Sequence, residues 1–339
     1  MIIAKNALPG LLDKLVAEYE VYAPVKQGTY SLYKQICNGA EADFGYVNSK
    51  IPPKGILFPQ SEKLYSYSVT GEGTNLEECI DNRKKVVFGI RPCDVKGLLL
   101  MDNVFNNDKF QDPYYLTRRA NTILVGMACN NPAGTCFCTS MGSGPFDQSG
   151  LDLMLADVGE AYVVEALSQK GKDLVAELAL GAADSTQKDA AARAKEAAEV
   201  TCVVNTEGLK AKLDVNFYDS IWEKFHEKCL GCAACTYSCP TCHCFDIVDE
   251  AKDCNGCRVR NWDSCMFPLF TLHGSGHNPR TSGKERMRQR IMHKFKYFVD
   301  NFNAPACVGC GRCIKNCPVN LDVREILADI RGSEARSDK

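Results

Sequence analysis

Two stretches of this chain repeat one cysteine spacing. "CLGCAACTYSCP" holds Cys229, Cys232, Cys235 and Cys239 ahead of Pro240, and "CVGCGRCIKNCP" holds Cys307, Cys310, Cys313 and Cys317 ahead of Pro318. Each reads C-x2-C-x2-C-x3-C-P, a spacing that binds cubane iron–sulfur clusters, and two copies in one chain make that chemistry specific. Three thiolates at two-residue gaps wrap a turn of chain around three irons. The small residues Gly231, Ala233, Ala234, Gly309 and Gly311 let backbone amides approach the cluster sulfurs. The fourth cysteine lies beyond that turn, and where two such clusters share a chain it ligates the other one. We therefore expect one 4Fe–4S cluster on Cys229, Cys232, Cys235 and Cys317, and a second on Cys307, Cys310, Cys313 and Cys239. Zinc prefers a closed tetrahedron built from separated C-x2-C pairs, which the tight triplet fits poorly.

A further group of thiols lies nearer the N-terminus. "FGIRPCD" puts Cys93 just past an apolar, β-branched run, with Asp94 offering a helix N-cap. "CNNPAGTCFC" holds Cys129, Cys136 and Cys138, and Cys129 ends a second such run, "NTILVGMA". In open α/β sheets ligands gather at the carboxyl ends of strands. If the two strands are neighbours, Cys93, Cys129, Cys136 and Cys138 converge, with Arg91 as a positive partner for an anionic group. A third 4Fe–4S cluster is the leading expectation, and a zinc site and metal-free thiols stay open as alternatives. The long segment between the two motifs adds Cys242, Cys244, Cys254, Cys257 and Cys265. "CHC" and "CNGC" could form a zinc site or a further cluster, but free thiols beside the clusters are the plainer reading. Cys37, Cys79 and Cys202 stand apart as free thiols, and no separate metal site and no catalytic residue is assigned.

The elements that must position these thiols follow from pattern. With 339 residues, 45% hydrophobic and 24% charged, the chain has room for two domains with ordinary cores. Its 20 cysteines are not needed as staples. "MIIAKNALPGLLDKLVAEYE" reads as an amphipathic helix rather than a signal peptide, and no run of about eighteen apolar residues exists to span a membrane. The expected location is cytoplasmic, where abundant cysteine argues for metal over disulfides. A net charge of −2 gives no global sign of nucleic-acid binding. The basic stretch "RTSGKERMRQRIMHKFK" (280–296) reads first as a solvated helix face, with a docking surface for an acidic partner or a screen for anionic clusters as alternatives.

Residues 1–215 hold seven cysteines and residues 216–339 hold thirteen. We place the domain boundary there. The first part alternates short apolar runs such as "KKVVFGI" and "EAYVVEAL" with helical stretches, so an α/β (or α+β) domain is expected, carrying the N-terminal thiols. "KDLVAELALGAADSTQKDAAARAKEAAEV" is helical with a break near "GAADST". The second part shows little strand signal. "YDSIWEKFHEK", "GKERMRQRIMHKFKYFVDNF" and "NLDVREILADIRG" all read as helices, and an all-α, helical-ferredoxin-like dicluster domain is expected.

Taken in order, "RPCD", "ACNNPAGTCFCTSMGSGPFD" and the two C-x2-C-x2-C-x3-C-P motifs resemble the family that holds the A subunits of anaerobic sulfite reductases and the β subunits of cytosolic nickel–iron sulfhydrogenases. The resemblance runs from about Val86 to Leu327. It implies an electron-transfer subunit of a hetero-oligomer in anaerobic metabolism. One partner would be an oxidoreductase subunit that binds flavin and NAD(P). The other would be a terminal redox subunit of hydrogenase, heterodisulfide reductase or sulfite reductase type.

The alternative function is a redox enzyme that binds its own flavin or a small substrate at the N-terminal crevice. No GxGxxG opens a helix after a strand, and no P-loop is present. Zinc-dependent nucleic-acid binding rests on the basic helix alone.

Overall fold

The computed structural model describes residues 1–332. Its strands are β1 (Ile2–Ala4), β2 (Glu20–Gln27), β3 (Tyr30–Gln35), β4 (Ser61–Thr70), β5 (Gly73–Glu78), β6 (Lys85–Ile90), β7 (Thr122–Met127), β8 (Leu153–Asp157), β9 (Ala161–Ala166), β10 (Phe245–Lys252) and β11 (Asn255–Trp262). Its helices are α1 (Leu8–Glu18), α2 (Pro92–Phe105), α3 (Pro113–Ala120), α4 (Gln169–Leu178), α5 (Ser185–Ala197), α6 (Leu209–Val215), α7 (Ile221–Glu227), α8 (Ala234–Tyr237), α9 (Gly283–Met292), α10 (Phe298–Phe302), α11 (Arg312–Lys315) and α12 (Val323–Gly332). A π-helical turn, His293–Tyr297, joins α9 to α10. No helix among the described residues is long and apolar enough to cross a membrane.

Packing divides the chain into two units. The first takes Met1–Leu57, Asn82–Val203 and Val308–Gly311, and the second takes Phe58–Asp81, Val204–Cys307 and the residues from Arg312 onward.

The first unit is mixed α/β. Its seven-stranded sheet has the order β1-β9-β8-β7-β6-β2-β3. Strands β2, β6, β7 and β8 run parallel, while β9, β1 and β3 add antiparallel edges. β6 is buried along its whole length, as a parallel strand covered on both faces requires. Leu12 and Leu15 of α1 pack on Val21, Val86, Phe88 and Val125. The N-terminal stretch is α-helical only from Leu8, after a 3-10 turn at Lys5–Ala7, because Ile2–Ala4 pair with Ala161–Val163 as an edge strand. The break expected near "GAADST" falls between α4 and α5, where Asp184 caps α5 through a capping box with Gln187.

The second unit departs from the all-α expectation. Helices α7, α9, α10 and α12 lie where the periodicity placed them, while α6 and the short α8 and α11 were not expected, and the unit also holds a four-stranded antiparallel sheet, β10-β11-β4-β5. β10 and β11 form a hairpin in which Lys252 pairs with Asn255 and Asp253 takes the left-handed conformation at φ 54°. β10 is largely exposed, so it shows no clean apolar alternation. The other partner of β11, β4, comes from residues 61–70, far away in sequence.

One buried ion pair ties that sheet together. Arg260 of β11 donates to Glu62 of β4 at 2.5 and 3.0 Å, and both side chains are almost fully buried. The guanidinium also lies over the rings of Phe58 and Phe245. Glu62→Ala would strand a buried guanidinium, a loss of about 3–5 kcal/mol. Anaerobic thermal or denaturant unfolding of the variant should therefore show a large drop in stability. An unchanged transition would mean that the pair does not hold the sheet.

Candidate metal centres

The two motifs fold alike. Gly231 and Gly309 occupy the third position of each at φ 65° and 64°, and Ala233 and Gly311 the fifth at φ 62° and 71°. A left-handed alanine costs roughly 1–2 kcal/mol, so Ala233 carries strain that its glycine counterpart avoids. The turn is followed in each copy by one short helix, α8 or α11, and these two pack together.

In the second unit, Cys229, Cys232, Cys235 and Cys317 line one cavity together with Cys313. Its wall is apolar, built from Met266, Met287, Ile291, Val323 and Ile326 among others. Backbone amides point at the sulfurs. Gly231 N–H donates to Cys229 Sγ at 3.4 Å and Leu321 N–H to Cys317 Sγ at 3.2 Å. The Cys229 thiol is pushed up by burial, with the other three thiols adding to it and the Gly231 amide opposing.

Cys239 points elsewhere. Its sulfur accepts from Lys294 Nζ at 3.2 Å and lies 3.1 Å from Thr241 Oγ1. A hydrogen bond with the Cys242 thiol pulls its pKa down, and Lys294 and Arg290 add to that effect against burial. Lys294 Nζ also donates to Thr241 Oγ1 at 3.1 Å and to Ala306 O at 2.9 Å, next to Cys307. Cys265 is hydrogen-bonded to Cys244 and feels Cys242, and these contacts with burial push its thiol up. Three of the five inter-motif thiols thus interact with one another, Cys265 with Cys244 and Cys242, and Cys242 with Cys239. Cys254 and Cys257 lie on the β10–β11 hairpin instead.

In the first unit, Cys93, Cys129, Cys136 and Cys138 line one pocket together with Arg91, Gly309 and Cys310. β6 and β7 are parallel neighbours, which brings Cys93 and Cys129 to the same sheet edge. The helix after β6 starts earlier than Asp94 suggests. Arg91 is its N-cap and Pro92 its first residue, because proline's fixed φ suits the first helical position. Arg91 is buried, and its guanidinium donates to the carbonyls of Tyr46, Val47, Met127 and Ala128. It faces Cys129, whose thiol burial raises and the guanidinium lowers, with a net rise. Burial, Cys136 and Cys129 push Cys138 up to about 11.

The loop carrying Cys136 and Cys138 packs closely on the segment 308–311. Phe137 N–H donates to Gly309 O at 2.8 Å, and Cys136 Sγ lies 3.9 Å from Cys310 O. A Cβ at Gly309 would stand 2.4 Å from Phe137 O, and one at Gly311 2.5 Å from Thr135 O. These glycines therefore admit a neighbouring segment in addition to making a turn. Next to the pocket, a cavity of about 250 Å³ is lined by Tyr46, Arg91, Cys129, Asn130 and Asp157 among others.

The donor sets suit an anionic cluster. Each cavity gathers soft thiols in apolar surroundings, the first has amides aimed at sulfur, and Arg290 projects into it with a buried Nη1 that has no hydrogen-bond partner. Among the described residues, no three His, Cys, Asp or Glu side chains gather closely enough for a single metal ion. A cubane instead spreads its thiolates around its body.

The basic helix differs from a solvated face. Its buried stripe runs Met287, Arg290, Ile291, Lys294, Phe295 and Phe298, so two cations occupy core positions. That signal was present in the sequence, as charges falling on the apolar period. His293, beside them, is held neutral by burial and by His243, with its pKa pushed down to about 3.

Residues 228–321 match the family described as 4Fe-4S dicluster domain. Over 332 residues the chain is 31% identical to the Sulfhydrogenase 2 subunit beta of Pyrococcus furiosus, an alignment covering 95% of this chain and 96% of that protein. No solved structure matches the chain.

Proposed function

This chain belongs to the sulfhydrogenase β-subunit family, and from that premise we propose that it is the iron–sulfur electron-transfer subunit of a multi-subunit oxidoreductase. In this reading Cys229, Cys232, Cys235 and Cys317 hold one 4Fe–4S cluster, and Cys307, Cys310, Cys313 and Cys239 hold a second. Cys93, Cys129, Cys136 and Cys138 hold a third. One partner is a subunit that binds flavin and NAD(P). The other is a terminal redox subunit of hydrogenase, heterodisulfide reductase or sulfite reductase type, and the assembly works in the cytoplasm. The relative's name, a numbered hydrogenase's beta subunit, favours such an assembly.

One observation carries the reading: cysteines from both motifs line a single apolar cavity, with amides directed at their sulfurs. When bound, a 4Fe–4S cluster takes up and releases one electron at a time. The protein's part is to hold and tune it. Met266, Met287 and Ile291 keep water away and lower the local dielectric. The Gly231 and Leu321 amides stabilise negative charge on sulfur. Leu230 and Cys232 are exposed, so the first quartet reaches the surface, where a partner's redox centre can approach.

A second reading has the 250 Å³ cavity beside Cys129 in its favour. In it, the first unit binds its own flavin or a small substrate. One experiment weighs both: iron, zinc and flavin content of the anaerobically purified chain, with EPR spin counts after reduction. We expect about twelve iron per chain, or about eight if only the two motifs are loaded, and no flavin. Fewer than about eight iron would overturn the relay. Stoichiometric flavin would move the assignment to the second reading.

A further inference from the structure

Arg290 and Lys294 are one helical turn apart and buried, at 6% and 4% exposure. Among the described residues neither pairs with a carboxylate. A buried cation without a counter-ion is expensive, so the fold must place negative charge there. The groups around them are cysteines. Arg290 lines one cavity with Cys229, Cys232, Cys235, Cys313 and Cys317. Lys294 Nζ lies 3.2 Å from Cys239 Sγ. Neutral thiols are poor anions, and Arg290 Nη1 still lacks a partner. Thiolates of an anionic cluster supply what both cations lack.

We propose that Arg290 and Lys294 are the built-in charge partners of the two dicluster-domain clusters and raise their midpoint potentials. The proposal rests on the cluster reading above. Reduction adds one electron and no proton to a cluster. That added negative charge sits beside two fixed cations and N–H donors to sulfur, which favour the reduced form. The pair spans both ligand sets. Arg290 lines the cavity of Cys229, Cys232, Cys235 and Cys317, and Lys294 contacts Cys239 of the other set.

The test is an anaerobic redox titration, followed by EPR, of full-length Arg290→Met and Lys294→Met with iron counted in the same samples. With iron retained, each variant should show a cluster harder to reduce by at least tenfold in the one-electron equilibrium, about 59 mV. Arg290→Lys and Lys294→Arg should recover most of the shift. Unchanged potentials at full iron would overturn the proposal.

If the methionine variants lose iron, native protein grown with arginine and lysine 15N-labelled in the side chain alone decides. Pulsed EPR of the reduced clusters should show a weak 15N coupling, and its absence would overturn the proposal. Native protein lacking iron would instead sink the cluster reading itself, a separate outcome.

Discussion

Cys317→Ala should abolish the same cluster as Cys229→Ala, although the two cysteines come from different motifs. Each variant should lose about four iron per chain and the same component of the reduced EPR spectrum. The reason is placement. Cys317 lines the cavity with Cys229, Cys232 and Cys235, and its sulfur receives the Leu321 amide. Cys239, the fourth cysteine of the first motif, turns instead to Lys294 and Thr241. Cys239→Ala should therefore pair with Cys307→Ala and remove the other component. Because metal binding is part of folding free energy in such domains, all four variants should also melt at lower temperature. The crossed assignment fails if Cys317→Ala instead removes the component lost in Cys307→Ala.

Cys129→Ala should lower iron from about twelve to about eight per chain while leaving both dicluster components of the spectrum intact. Three separate segments meet at this site: the first turn of α2 brings Cys93, the end of β7 brings Cys129, and the loop before the turn at Gly142 brings Cys136 and Cys138. A shared ligand would account for these four thiols lining one pocket beside the Arg91 guanidinium. Cys202→Ala, which lies apart from these thiols in sequence, is the control and should keep all its iron. About eight iron in the unaltered chain would leave the Cys129 stretch as a thiol-bearing loop and confine the relay to the two motifs.

The parts of this protein that sequence reveals are those set by short covalent spacing. Eight cysteines at gaps of two and three residues, with small residues between them, name the cofactor before any fold is known. β6 and β7 were legible as continuous apolar runs, because a strand buried on both faces has no polar side to show. Their neighbouring placement, which brings Cys93 and Cys129 together, was a condition that the sheet order met.

Other features depended on packing between distant segments. The pairing of β4 with β11 joins residues 61–68 to 255–261, and neither strand is apolar enough to announce it. Cys265 meets Cys244 because the chain returns there after the β10–β11 hairpin. Gly309 and Gly311 serve a close approach by residues 135–137 that no motif could reveal.

That Arg290 and Lys294 fall on the apolar period of their helix was visible in the sequence, but what they are buried against was not. A basic residue on a helix is ordinarily solvated, and only the tertiary structure shows which ones face thiols. Sequence by itself determined which atoms can hold iron. The tertiary structure decided which of them meet, and which buried cations stand against them, because burial and proximity arise from the whole chain's packing and not from local spacing.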